Sequence, residues 1–150
     1  MTGYKPFCPT YVSLEDNDCF RCSVAYLLDI HPEEVKFIDP CEYQEDSHQF
    51  WKDWYDYLLE EFGKKMVGWN GTEEWYMGSE YSDGINRDIS YLLNNPVPWI
   101  AIVPTIPKPV KSWSHAIGMF GDKLFYESNI SYPRKRKPRK IYCGVTLEDA

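Results

Sequence analysis

Few residues in this chain are placed to carry covalent chemistry. Cys19 follows Asp18 at the head of the run Cys-Phe-Arg-Cys-Ser-Val-Ala-Tyr-Leu-Leu. Phe20, Val24, Leu27 and Leu28 recur there at helical spacing, and the Asp18 carboxylate suits a cap, so a helix is predicted to begin at Cys19. A cysteine at a helix N-terminus lies among free backbone amides and the positive end of the helix dipole, where a thiolate nucleophile is stabilised. Such a nucleophile needs a base against the sulfur and a third group to orient that base. His115 is the one histidine embedded in an apolar, strand-like run, since His31 and His48 fall at polar helix boundaries. Glu127 comes twelve residues later across one turn, where a hairpin brings its carboxylate beside the imidazole, and Asn129 offers an alternative third member. The expectation is a Cys19 sulfur within about 4.5 Å of the His115 ring, with Glu127 or Asn129 at the far nitrogen.

Cys19 and Cys22 also form a Cys-x-x-Cys pair. A redox site of the common type has an apolar strand directly ahead of that pair, and the polar stretch ending in Leu14-Glu15-Asp16-Asn17-Asp18 is not one. A zinc site needs four ligands, and Cys8, Cys41, Cys143 and the three histidines show no second close pair, so neither metal nor cofactor is expected. Cys22 then reads as a core residue one helical turn along. Five cysteines, an odd number, fit thiols in a reducing compartment better than a disulfide framework.

Around these residues the pattern predicts the elements that must hold them. Residues 1–17 read as an irregular N-terminal arm. After the first helix, Pro32 opens a short turn closed by Asp39-Pro40. A second helix carries Phe50, Trp51, Trp54, Tyr57, Leu58 and Phe62 as an apolar stripe, with Ser47 as its cap and Gly63 as its left-handed end. Short strands are predicted over 64–69 and 73–78 around Asn70-Gly71, and a third helix over Gly84 to Leu93 behind an Asp83 cap. Runs at 98–103, 115–120, 123–128 and 140–147 are rich in β-branched and aromatic residues, with Gly121-Asp122 turning the chain between the second and third. Helices first and strands later make an α+β domain, with helices packed on a mostly antiparallel sheet formed by the C-terminal half.

Composition is consistent with one domain over residues 1–150. A chain of 150 residues buries roughly 70% of its unfolded surface, and 43% hydrophobic with 17% aromatic residues is ample for a core. No apolar run approaches the ~20 residues of a membrane span, and the start lacks a secretory signal, so a cytoplasmic protein without a membrane partner is expected. The net charge of −7 argues against nucleic-acid binding by the surface as a whole. Against it stands a basic run in which Arg134, Lys135, Arg136, Lys137, Arg139 and Lys140 crowd together; it reads as a solvated loop over 133–140, with an acidic partner as the alternative.

Asp18-Cys19-Phe20-Arg21-Cys22-Ser23-Val24-Ala25, then Leu27-Leu28 and Pro32-Glu33-Glu34-Val35, resembles the opening of a group of short bacterial and phage proteins in the papain-like cysteine-hydrolase superfamily. His115-Ala116-Ile117, Gly121 and Glu127 resemble the His-Ala-Val strand, glycine turn and acidic ending of that group, and the likeness spans about residues 16 to 130. The resemblance implies a papain-like fold in which Cys19 is the nucleophile, His115 the general base and Glu127 the third member. It implies hydrolysis of a peptide, isopeptide or side-chain amide through an acyl-enzyme, with a peptide or protein substrate, in a bacterial cytoplasm if the chain is phage-encoded. Two departures stand out: Glu127-Ser128 replaces Asp-Pro, and no Gln precedes Cys19, which leaves Asn17 or the Cys19 amide to meet an oxyanion. Both would suit a papain-like binding protein that acts on a host or phage partner without turnover.

Overall fold

The computed structural model describes residues 18–43, 47–71, 87–104, 114–126 and 138–150. Helix α1 (Cys19–Leu28) starts where the apolar spacing places it and ends at Asp29, whose left-handed backbone (φ 58°) returns its N–H to the last carbonyls. His31 then caps the short 3-10 turn Pro32–Glu34: its Nδ1 accepts the Glu33 amide while the Glu34 carboxylate accepts the amide of His31. Helix α2 (Ser47–Phe62) stops at Gly63, φ 62°, as its sequence dictates.

Five strands follow: β1 (Lys64–Asn70), β2 (Pro98–Pro104), β3 (Ser114–Phe120), β4 (Lys123–Tyr126) and β5 (Cys143–Asp149). They form one sheet in the order β1-β5-β2-β3-β4, and each neighbouring pair is antiparallel. The fold is therefore α+β. The edge strand β1 comes from ahead of the chain's midpoint, so the sheet is not built by the C-terminal half alone. Its partner is β5, while the predicted strand at 73–78 lies outside the described residues.

The third helix is shorter than its sequence suggests. The Asn70 amide donates to Arg87 and the Ile89 amide to Asn70, which draws residues 87–89 alongside the end of β1 and delays helix α3 to Ser90–Leu93. Ile89 holds the cap position, with the Asp88 carboxylate accepting the Ser90 amide at 2.8 Å just ahead of the helix; Asp83, the expected cap, lies outside the described residues. Strand β5 begins three residues later than expected; ahead of it Ile141 is buried in the core and the Tyr142 amide donates to the Ile102 carbonyl at 2.7 Å.

Two apolar layers use the two faces of the sheet. Ile100, Ile102, Ala116, Cys143 and Val145 pack under Phe20 and Val24 of α1 and Trp54 and Leu58 of α2. On the opposite face Trp99, Ala101, Val103, Ile117 and Met119 meet Ile89 and Leu92. Strand alternation assigns these sets, and β2, covered on both faces, is apolar at successive positions. Trp99 Nε1–H donates to the Gly121 carbonyl at 2.8 Å and ties the β3–β4 turn to β2. Among the described residues no helix is long and apolar enough to cross a membrane.

Trp54 is 0% exposed, with the Phe20 ring 5.0 Å away, and its indole N–H meets no acceptor among the described residues. Replacing it with Ala should cost about 3 to 5 kcal/mol in denaturant unfolding. Trp54→Phe should cost much less, because it keeps an aromatic ring in place and removes a buried donor whose desolvation is worth about 1 to 3 kcal/mol. An Ala variant that loses under about 1 kcal/mol would show that the stripe is not core.

Candidate functional site

Cys19 is the first residue of α1 and is half-buried. Asp18 occupies the cap position, and its carbonyl accepts the first helical bond from the Cys22 amide at 3.0 Å. Its side chain does not cap. Capping carboxylates extend from a β-like backbone, whereas Asp18 has φ −100° and ψ 18°, and its side chain is turned inward to 1% exposure against the Cys22 thiol. The predicted capping role is thus replaced by a buried one, and the amides of Cys19, Phe20 and Arg21 are left untouched by that carboxylate.

The Cys19 sulfur meets β3. It accepts the Ala116 amide at 3.4 Å, across 97 residues of sequence. Strand β3 pairs with β2 along its whole length on one side, and on the other with β4 as far as Gly118, opposite Tyr126, beyond which lie residues outside the described ones. The Ala116 amide is thus taken up by the sulfur, so the buried backbone donor has an acceptor outside the β2 pairing. Because Cα and the next amide nitrogen are about 2.4 Å apart, the sulfur lies no more than about 6 Å from the Cα of His115. Alternation puts Ala116 and Gly118 on the α1 face and His115 on the other, with Ile117 and opposite Val103. The sulfur itself is within hydrogen-bonding reach of the strand backbone.

Glu127 and Asn129, proposed to orient the imidazole, and Asn17, proposed to meet an oxyanion, lie outside the described residues, as do Arg134, Lys135, Arg136 and Lys137 of the basic run. Of that run Arg139 and Lys140 are described, both exposed, and Lys140 lies 5.4 Å from the ring of Tyr142.

Behind Cys19 is a buried polar group that the capping argument missed. Burial, and then the Asp18 charge, push the Cys22 thiol up to about 12, while the nearby Tyr126 acts in the opposite direction. Tyr126 stacks on Tyr26 with centroids 5.9 Å apart and planes 9° from parallel, and Tyr26 donates its hydroxyl to the Met119 carbonyl at 2.8 Å. A signal for this group exists in the sequence: Asp18, Cys22 and Tyr26 are spaced by four, along one face of the helix. Cys143, enclosed in the sheet, has its thiol pushed up by burial alone.

A separate open cleft of about 590 Å³ runs between residues 36–43 and the outer face of α2. Asp39, Glu42, Asp53, Asp56, Glu60 and Glu61 line it, and neither Cys19 nor His115 does. Burial and the hydrogen bond to Asp53 push the Tyr43 hydroxyl up to about 12. Among the described residues no cluster of His, Cys, Asp and Glu is arranged to hold a metal ion. Comparison with protein-family models, with curated proteins and with solved structures finds no match to this chain.

Two outcomes follow from this geometry. Iodoacetamide near neutral pH should modify Cys19 at least about 100-fold faster than Cys22 or Cys143, whose thiols are buried and protonated; peptide mass mapping reads the rates, and equal rates would contradict the arrangement. A Cβ on Gly118 would come within 2.7 Å of the Tyr26 ring and 2.9 Å of Tyr126 Cβ. Gly118→Ala should therefore cost about 1 to 3 kcal/mol and, by pushing α1 off β3, change the Cys19 rate, which a substitution confined to the core would leave alone.

Proposed function

We propose that this protein is a thiol-dependent hydrolase of the papain-like type, cleaving a peptide, isopeptide or side-chain amide bond. What carries the reading is the Cys19 sulfur at the head of α1, hydrogen-bonded to the amide next to His115. A helix start and a strand amide are donors that support a thiolate, and the sulfur lies within about 6 Å of the Cα that carries the imidazole.

In this scheme His115 takes the Cys19 proton as the sulfur attacks the substrate carbonyl. The developing oxyanion is met by amides of the first turn of α1, which the Asp18 side chain leaves available, with Asn17 as the proposed side-chain donor. His115 returns the proton to the leaving amine, and water then releases the acyl group from the sulfur. Glu127, or Asn129 in its place, holds the imidazole.

The test is an acyl-type thiol electrophile followed by intact mass. A single adduct at Cys19 is expected, lost in Cys19→Ala and formed at least about tenfold more slowly in His115→Ala, with Glu127→Gln giving a smaller loss. Labelling that does not depend on His115 would remove the hydrolase and leave the alternative, a papain-like binding protein without turnover.

A further inference from the structure

The hydrolytic scheme employs Cys19 and gives no role to the thiol and carboxylate buried directly behind it. Cys22 and Asp18 are each 1% exposed, in the first turn of α1 and at its cap. Asp18 stands one helical turn ahead of Cys22, and its charge, with the burial of the thiol, holds the Cys22 proton in place. Burying a carboxylate is costly, and an apolar residue would fill the space without that cost. Three groups are therefore gathered at the head of α1: a half-buried thiol, a buried thiol three residues on, and a buried carboxylate one turn behind that second thiol.

We propose that Cys19 and Cys22 are a redox-active dithiol that closes to a disulfide on reaction with a small-molecule disulfide, with Asp18 as the base that receives the Cys22 proton. Residues three apart in a helix have Cα atoms about 5 Å apart, inside the span that a disulfide bridges. Cβ atoms at that spacing are somewhat wider than a disulfide needs, and the adjustment falls on the first turn, where the amides of residues 19–21 have no helical acceptor to lose.

Cys19 attacks one sulfur of the reagent, forming a mixed disulfide and releasing the first reagent thiol, which carries away the Cys19 proton. Cys22 then attacks the Cys19 sulfur while its proton passes to Asp18, so that no free thiolate is buried. The Cys19–Cys22 bond forms as the mixed bond breaks, and the second reagent thiol leaves with the proton that Asp18 relinquishes. Two protein thiols lose two electrons, and one reagent disulfide becomes two thiols. Tyr126 and Cys19 are the other titratable groups that act on Cys22. A thiol held protonated until the mixed disulfide arrives does not compete with Cys19 for reagent, which fixes the order of the two steps.

The experiment treats the folded full chain with oxidised glutathione, quenches with acid at intervals and maps disulfides by peptide mass. A transient glutathione adduct on Cys19 that converts to a Cys19–Cys22 crosslink is expected. Cys22→Ser should hold the adduct at least about tenfold longer, and Asp18→Asn should slow closure about tenfold without slowing adduct formation. If Asp18→Asn does not unfold cooperatively, wild type against Cys22→Ser still decides whether the pair closes. A wild-type chain that halts at the adduct, or that crosslinks Cys19 to a different cysteine, overturns the dithiol; closure at the wild-type rate in folded Asp18→Asn overturns the base. Hydrolysis is scored separately: Cys22→Ser retains Cys19 and His115 and should keep its electrophile labelling, so failure of either proposal leaves the other readable.

Discussion

The Tyr26 ring lies against Gly118, with no room between ring and backbone for a Cβ, and its hydroxyl reaches past to the carbonyl of Met119. These two contacts set how close α1 comes to β3 and how it is rotated. One is steric and the other directional, so together they leave little freedom. Ala116, the other small residue on that face, lets the head of the helix descend to the strand edge. The position of the Cys19 sulfur follows from that packing, and so does the burial of Asp18, which a helix held farther from the sheet would leave in water.

The remainder of the fold makes that contact stiff. Strand β2 is buried on both faces and β3 pairs with it over seven residues, so the strand that carries His115 is backed by the most enclosed part of the sheet. On the near side Phe20 continues α1 into the aromatic stack of Phe50, Trp51 and Trp54 on α2. Edge-to-face packing of this kind fixes orientation as well as distance. The two helices thus form one slab above the sheet, with Cys19 at the end of it.

Elements with a strong local period were legible in the sequence: α1 and α2 from their apolar stripes, β2 and β3 from their β-branched runs, and the ends at Gly63 and Gly121 from the need for positive φ. What depended on distant partners was not. Residues 87–89 are held out of the helix by Asn70, and β1 takes its partner from more than seventy residues away. For the candidate site, the sequence carries its two anchor points, a helix start at Cys19 and a strand through His115. It does not carry the inward turn of Asp18, because an aspartate at a helix start has a local use that burial overrides.

The strand order has a consequence for how the molecule comes into being. Strand β5, made last, is inserted between β1 and β2, which are made much earlier, so two strands must wait as open edges until it arrives. A nascent chain leaving the ribosome can coil α1 and α2 early from local contacts, and it then holds a thiol with no strand beside it. Closure of the sheet is a long-range event, and the aggregation-prone interval lasts as long as synthesis of the second half. A chaperone that shields the apolar edges of β1 and β2 during that interval would do more for the yield of folded protein than any change that strengthens the helices.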